Sequence, residues 1–234
     1  MLKFNPPARV VGILGMHRSG TSCLTGSLQQ AGLFLGDTHE FSKHNWKGNR
    51  ENQNFVDLDD LVLEANGGAW DSPPAQVSWS EEHFTLAKEL LAQYSEAPMF
   101  GFKDPRALLI LDGWKSLIPN MEFVGIFRHP NAVVGSLQKR NTMEREQSLK
   151  LWYAYNSAMY KEYKRSRFPI LNFGDPEEVL DEKIFRVAAE MGLPGRSGDE
   201  KFYTSDFINN SENDGPKLPW KINRLYKKLK KVSL

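Results

Sequence analysis

Residues 9–22 constrain this chain more than any other stretch. Arg9–Leu14 is a short run rich in β-branched residues that ends at Gly15, and Thr21–Ala31 reads as a helix stopped by Gly32. Between them lies Gly15-Met16-His17-Arg18-Ser19-Gly20-Thr21-Ser22, with the spacing G-x-x-x-x-G. A strand, a glycine loop and a helix in that order make a phosphate-binding turn. The glycines let backbone N–H groups fold inward, and the helix start adds donors and a favourable dipole. A nucleoside-triphosphatase loop carries Lys where this chain has Thr21. Here the cation is Arg18, inside the loop, and a guanidinium forks onto two oxygens of a phosphate or sulfonate. The same letters also fit a plain glycine turn with an exposed Arg, and His17 fits a packed loop histidine as well as a base.

The rest of the chain alternates strand and helix patterns. Strands are expected at Leu33–Leu35, Met99–Phe102, Glu122–Phe127 and Pro169–Phe173. Helices are expected over Asn52–Ala65, from a Ser80 N-cap to about Tyr94, and over Ala107–Leu117, Pro130–Arg140, Leu149–Tyr163, Pro176–Met191 and Trp220–Val232. In the first of these, Phe55, Leu58, Leu61, Val62 and Ala65 form the apolar face. Such alternation predicts an α/β fold: a P-loop-type three-layer α/β/α arrangement around a central parallel sheet of about five strands. The length suits a single domain over residues 1–234, ending in a basic helix at about 220–232. In such sheets ligands sit beyond the carboxyl ends of the strands, which directs attention to residues just after 14, 36, 102, 127 and 173.

Two further cations occupy such places. Arg128 ends the fourth expected strand, before His129-Pro130, and Ser136 lies two turns into the helix that Pro130 opens; together they suit one anionic group. Lys103 follows the third strand, in Lys103-Asp104-Pro105-Arg106. It reads equally as a surface lysine or a partner of Asp104, while Asp104 and Arg106 suit a structural ion pair.

Taken together, these segments resemble the sulfotransferases that use 3′-phosphoadenosine 5′-phosphosulfate, and most nearly their bacterial sulfotransferase-like branch. The resemblance rests on Gly15–Ser22, Gly48-Asn49-Arg50-Glu51-Asn52 with Phe55-Val56-Asp57-Leu58, Gly68-Ala69-Trp70, Lys103–Arg106, Arg128–Ser136 with Leu137 and Arg140, and Trp152 with Tyr155-Asn156. It spans roughly residues 9–193 in order. It implies a P-loop-like fold and a nucleotide sulfate donor (PAPS), released as 3′-phosphoadenosine 5′-phosphate (PAP), with no metal. Gly15, His17, Arg18, Ser19, Gly20, Thr21 and Ser22 would hold the 5′-phosphosulfate, and Arg128 and Ser136 the 3′-phosphate. Arg18 and Lys103 would neutralise charge developing at the sulfuryl group. Several members use a Glu after the second strand as general base, which makes Glu51 a candidate; Asp37, Glu40, His39 and His44 are alternatives. The expected activity is transfer to a hydroxyl or amine of a small-molecule or carbohydrate acceptor, a sulfotransferase of EC 2.8.2 type. An atypical P-loop kinase and a non-catalytic nucleotide-binding module are the competing readings. Trp46, Trp70 and Trp79 fit either an acceptor cleft or the covering of helix ends.

Charge adds a second feature. There are 30 Lys+Arg against 29 Asp+Glu, a net charge of +1. Six basic residues and no acidic ones lie in Trp220–Leu234, so residues 1–219 carry 24 against 29. The near-zero total argues against a dedicated nucleic-acid partner; the body is acidic and the tail basic, and the tail helix fits a solvated amphipathic helix, an anionic acceptor polymer or an anionic membrane surface. A single cysteine, Cys23, excludes an internal disulfide framework and suits a small buried helix position. With no apolar run of membrane length and no signal-peptide pattern, a cytoplasmic protein is expected. Oligomeric state is not indicated.

Overall fold

A computed structural model describes residues 4–38, 48–196, 201–202 and 215–234. It has four strands: β1 (Val10–Leu14), β2 (Phe100–Phe102), β3 (Glu122–Phe127) and β4 (Ile170–Asn172). The helices are α1 (Thr21–Gln30), α2 (Gln53–Ala65), α3 (Glu81–Ala92), α4 (Leu111–Leu117), α5 (Pro130–Asn141), α6 (Arg145–Ser166), α7 (Glu177–Glu190) and α8 (Trp220–Val232), with a 3₁₀ turn at Pro105–Leu108. The fold is α/β, with the strands in the order β2-β1-β3-β4. β1 pairs parallel with β2 through Val10–Phe100, Val11–Gly101 and Gly12–Phe102. β3 pairs parallel with β4 through Gly125–Ile170, Ile126–Leu171 and Phe127–Asn172.

The chain divides into two compact units, one of residues 1–14 and 33–123, the other of 15–32 and 124–234. The first unit is built around aromatic rings. Tyr94 stacks on Phe100 at 4.3 Å, and Phe55 stacks on Phe102 at 4.7 Å and on Trp114 at 5.6 Å. Asn52 caps α2 by accepting from the Asn54 N–H, and donates its Nδ2–H to the Tyr94 hydroxyl at 2.7 Å. Ser80 and His83 cap α3 reciprocally, each satisfying a donor the helix start would otherwise leave bare.

In the second unit, Val124, Ile126 and Phe127 of β3, Trp152, Tyr155 and Met159 of α6, and Ile170 and Leu171 of β4 are buried. The basic tail is part of this unit. Helix α8 buries Ile222, Leu225 and Leu229, and Tyr226 meets the His129 ring edge-on at 4.8 Å. Lys221 and Lys228 lie over Tyr153 and Tyr160 of α6. The Leu234 N–H donates to the Ile170 carbonyl at 2.9 Å.

Three expectations need correction. The sheet has four strands among the described residues, because Leu33–Leu35 contributes only a single parallel bridge, Phe34 to Phe100. Gly32 and Gly36, both at positive φ, bracket that run and leave no length for a ladder. The stretch 107–117 is not one helix: Asp104 caps a 3₁₀ turn opened by Pro105, and a separate α4 begins at Leu111. The buried face of α2 consists of Phe55, Val56, Leu58, Asp59, Val62 and Leu63, with Leu61 40% exposed and Ala65 exposed. Asp59 takes a place in the core, where Trp114 Nε1–H donates to its Oδ1. Cys23 is buried on α1.

Candidate functional site

In the second unit, the loop after β1 leads into α1 through two residues with left-handed backbone. Arg18 has φ +66° and Gly20 φ +89°. Gly20 caps α1 with no side-chain bond of its own, and a helix start of this kind favours an anion through its N–H groups and dipole. A Cβ on Gly20 would lie 2.2 Å from the Phe173 ring, and one on Gly15 would lie 2.6 Å from the Ile126 carbonyl. Glycine is required at both by close approach, and at Gly20 also by φ. The loop is tied by Ser19 N–H to the Met16 carbonyl at 3.2 Å, and Thr25 Oγ1 donates to the Thr21 carbonyl at 2.7 Å. Thr21 is buried and Ser22 half-buried. Ser19 Oγ is buried and finds no partner among the described residues. A buried hydroxyl at the mouth of a glycine loop suits an anion.

The arginines gather at this loop. Arg18 Nε donates to Ser136 Oγ at 2.8 Å. Burial lowers the pKa of Arg18, and the like charges of Arg140 and Arg128 lower it further. Arg140 and Arg128 thus bring like charge to the guanidinium that holds the Ser136 hydroxyl. Arg128 is buried, with its guanidinium carbon 5.3 Å from the centre of the Phe173 ring. Its backbone is fixed by Trp152, whose Nε1–H donates to the Arg128 carbonyl at 2.9 Å. The two anion sites read separately from the sequence meet at the Arg18–Ser136 bond. His17 packs edge-on against the buried Tyr155 ring at 5.8 Å.

Arg140 and Phe173 were not singled out as site residues by sequence. Arg140 lies one turn beyond Ser136 on α5, so helical spacing carries it. Phe173 directly follows β4, at one of the strand mouths already marked for inspection.

The first unit holds a separate polar cluster. Lys103 is 3% exposed, and its Nζ donates to Glu51 Oε1 at 2.5 Å and to the Asn49 carbonyl at 2.9 Å. Its partner is Glu51, and Asp104 instead pairs with Arg106 at 2.9 Å. Arg106 also pairs with Asp60 at 2.6 Å. Burial alone would lower the pKa of Arg106, but the carboxylates of Asp104 and Asp60 outweigh it and raise it. Among the alternative bases, His39, Glu40 and His44 lie outside the described residues, as does Trp46. Trp79 lies against Gly113 and 5.2 Å from Trp114, a packing position.

No family model matches the chain, and no curated protein does. Solved structures do. The sulfotransferase domain of the Synechococcus PCC 7002 olefin synthase aligns at a TM-score of 0.60 and 18% identity, over 97% of this chain and 96% of that one. The chain has the fold of a sulfotransferase domain. A second such domain, from the curacin biosynthetic pathway, aligns at 0.57 and 14% identity, over 96% of this chain and 98% of that one. No helix among the described residues of this sulfotransferase-fold chain is long and apolar enough to cross a membrane.

Proposed function

We propose that this chain is a sulfotransferase that moves a sulfuryl group from PAPS to a hydroxyl or amine of a small-molecule or carbohydrate acceptor. The observation that carries the reading is Arg18, bonded to Ser136 and close enough to Arg140 and Arg128 for their charges to lower its pKa, beside a glycine loop and a Ser19 hydroxyl with no partner among the described residues. Cations held together against their own repulsion fit a ligand carrying several negative charges. PAPS has such charge at both ends. Gly15, His17, Ser19, Gly20, Thr21 and Ser22 would hold its 5′ side, and Arg128 and Ser136 its 3′-phosphate. Arg18 would leave Ser136 for the donor and stabilise the departing bridge oxygen. Glu51 is proposed as the base for the acceptor, and Lys103 as the cation that fixes its carboxylate and answers charge on the transferred group. Residues 1–234 would act as one domain in the cytoplasm, with the exposed Lys227 and Lys231 of its packed tail helix available to an anionic surface.

Thermal melts test it. A ligand that binds the native state raises apparent stability by RT ln(1 + [L]/Kd). PAP is expected to raise Tm more than AMP or ATP–Mg at equal concentration, and Arg128→Ala to abolish the difference. Greater stabilisation by ATP–Mg would support a kinase instead. Selective PAP binding without transfer to any acceptor in a labelled-sulfate screen would leave a non-catalytic binding module.

A further inference from the structure

The first unit buries a pair of carboxyl groups that the proposed chemistry does not use. Asp59 lies on α2 and Asp104 directly follows Lys103; both are shut off from solvent. One oxygen of each is satisfied. Asp59 Oδ1 accepts from Trp114 Nε1–H at 2.9 Å, and Asp104 Oδ1 accepts from the Arg106 N–H at 3.1 Å and its Nη1 at 2.9 Å. Among the described residues, none donates an N–H or O–H to the remaining oxygens, Asp59 Oδ2 and Asp104 Oδ2. The two carboxyls instead meet each other. Two carboxylates are both acceptors, so their contact becomes a hydrogen bond only when one carries a proton. With both ionised, like charges would face each other away from water, which such pairs avoid by retaining a proton.

The surrounding charges agree. Burial first, and then the charge of Asp104, hold Asp59 well above the usual carboxylate range, with Arg106 opposing. Burial pushes Asp104 up to about 6, with Arg106 opposing and Glu51 adding to the rise. Asp60 takes part of the Arg106 charge.

We propose that Asp59 and Asp104 share one proton, and that this carboxyl pair is the positioning element that holds Lys103 against Glu51. Asp104 is bonded in the chain to Lys103. Asp59 sits two turns into α2, whose N-cap Asn52 directly follows Glu51. The pair thus ties the segment bearing Lys103 to the helix that begins beside Glu51. Removing the shared proton sets two carboxylates against each other and releases the tie. The meaning given to the Lys103–Glu51 contact rests on the sulfotransferase reading; the shared proton and the tie do not.

Four kinds of measurement on the full chain test this. Infrared spectroscopy at neutral pH is expected to show a protonated-carboxyl band that D59N lacks. Melts across about pH 4 to 8 give the sign. A carboxyl with a raised folded-state pKa stabilises below its unfolded value, and the stabilisation is lost as pH rises through the raised one. D59N, always neutral, should therefore gain Tm relative to wild type as pH rises. Acylation of Lys103, followed by mass spectrometry against an exposed reference lysine, reads the tie. Wild type and D59N are expected to protect Lys103, and D59A to label roughly tenfold faster, a fold-change read as an opening equilibrium. Should D59A not fold, wild type must lose protection relative to D59N as pH rises. In turnover, D59A should lower kcat while the Kd for PAP holds, with D59N restoring kcat. An absent protonated band, a pH-independent Tm difference or equal Lys103 labelling in all variants overturns the proposal. A wild type that transfers no sulfuryl group defeats the function proposed above, while infrared and labelling still decide the pair.

Discussion

Replacing Gly20 by alanine tests the loop at its most confined point. Gly20 has φ +89°, and an L-residue in the left-handed region pays about 1–2 kcal/mol. The added Cβ would fall 2.2, 2.4 and 2.7 Å from three carbons of the Phe173 ring. That ring is buried, so it cannot swing clear, and overpacking of this kind adds about 1–3 kcal/mol. G20A should lose roughly 2–5 kcal/mol, a large share of the ~5–15 kcal/mol that holds a domain folded. In urea, with a slope at the upper end for a chain of this size, about 2–3 kcal/mol per molar, the midpoint should fall by about 0.7–2.5 M. A double-mutant cycle separates the two causes. F173A removes the ring but leaves φ unchanged, so G20A/F173A should be less destabilised than the sum of the singles by about 1–3 kcal/mol, the overpacking part alone. Additivity of the two substitutions, or a G20A midpoint indistinguishable from wild type, would refute the close approach of loop and ring.

Other consequences follow from single contacts. S136A removes the Arg18 Nε bond and a ligand for the proposed 3′-phosphate; the Kd for PAP in calorimetry should rise about 3- to 10-fold, matching one lost hydrogen bond. R106A strands the buried Asp104 carboxyl; chemical denaturation should show a loss of about 3–5 kcal/mol, whereas E122Q, at a half-exposed pair with Arg9, should cost under about 1 kcal/mol. L229A empties a fully buried site on α8 and should cost about 2–5 kcal/mol. Burial, then Lys230, lowers the pKa of His129, so its contribution is present above the ordinary histidine pKa of about 6.5 and lost as pH falls. An H129Q protein should show a shallower Tm decline on acidification.

Much of this architecture was legible because its signals are local. The Gly15–Ser22 spacing, Pro130 at a helix start and the Ser80 cap each depend on a few neighbouring residues. The cations Arg18, Lys103 and Arg128 could be found by one rule about strand ends. What the sequence concealed depends on distant partners. Asp59 is polar, and the periodicity of α2 favours Leu61 in its place. Only Trp114 and Asp104, 55 and 45 positions away, make a carboxyl acceptable in the core. The partner of Lys103 was hidden in the same way, since Asp104 is adjacent in sequence while Glu51 arrives across 52 residues. The Leu33–Leu35 run had strand composition, but the left-handed glycines at its ends cut it to one bridge.

The central claim is that the arginine cluster and glycine loop form a site for a nucleotide with phosphate at both its 3′ and 5′ positions. Calorimetric titration of the intact protein with PAP, beside AMP and adenosine 3′-phosphate, addresses it most directly. PAP should bind at least about tenfold more tightly than either monophosphate, a difference of about 1.4 kcal/mol, and R128A should erase its advantage over AMP. Equal affinity for PAP and AMP in the wild-type protein would contradict the account.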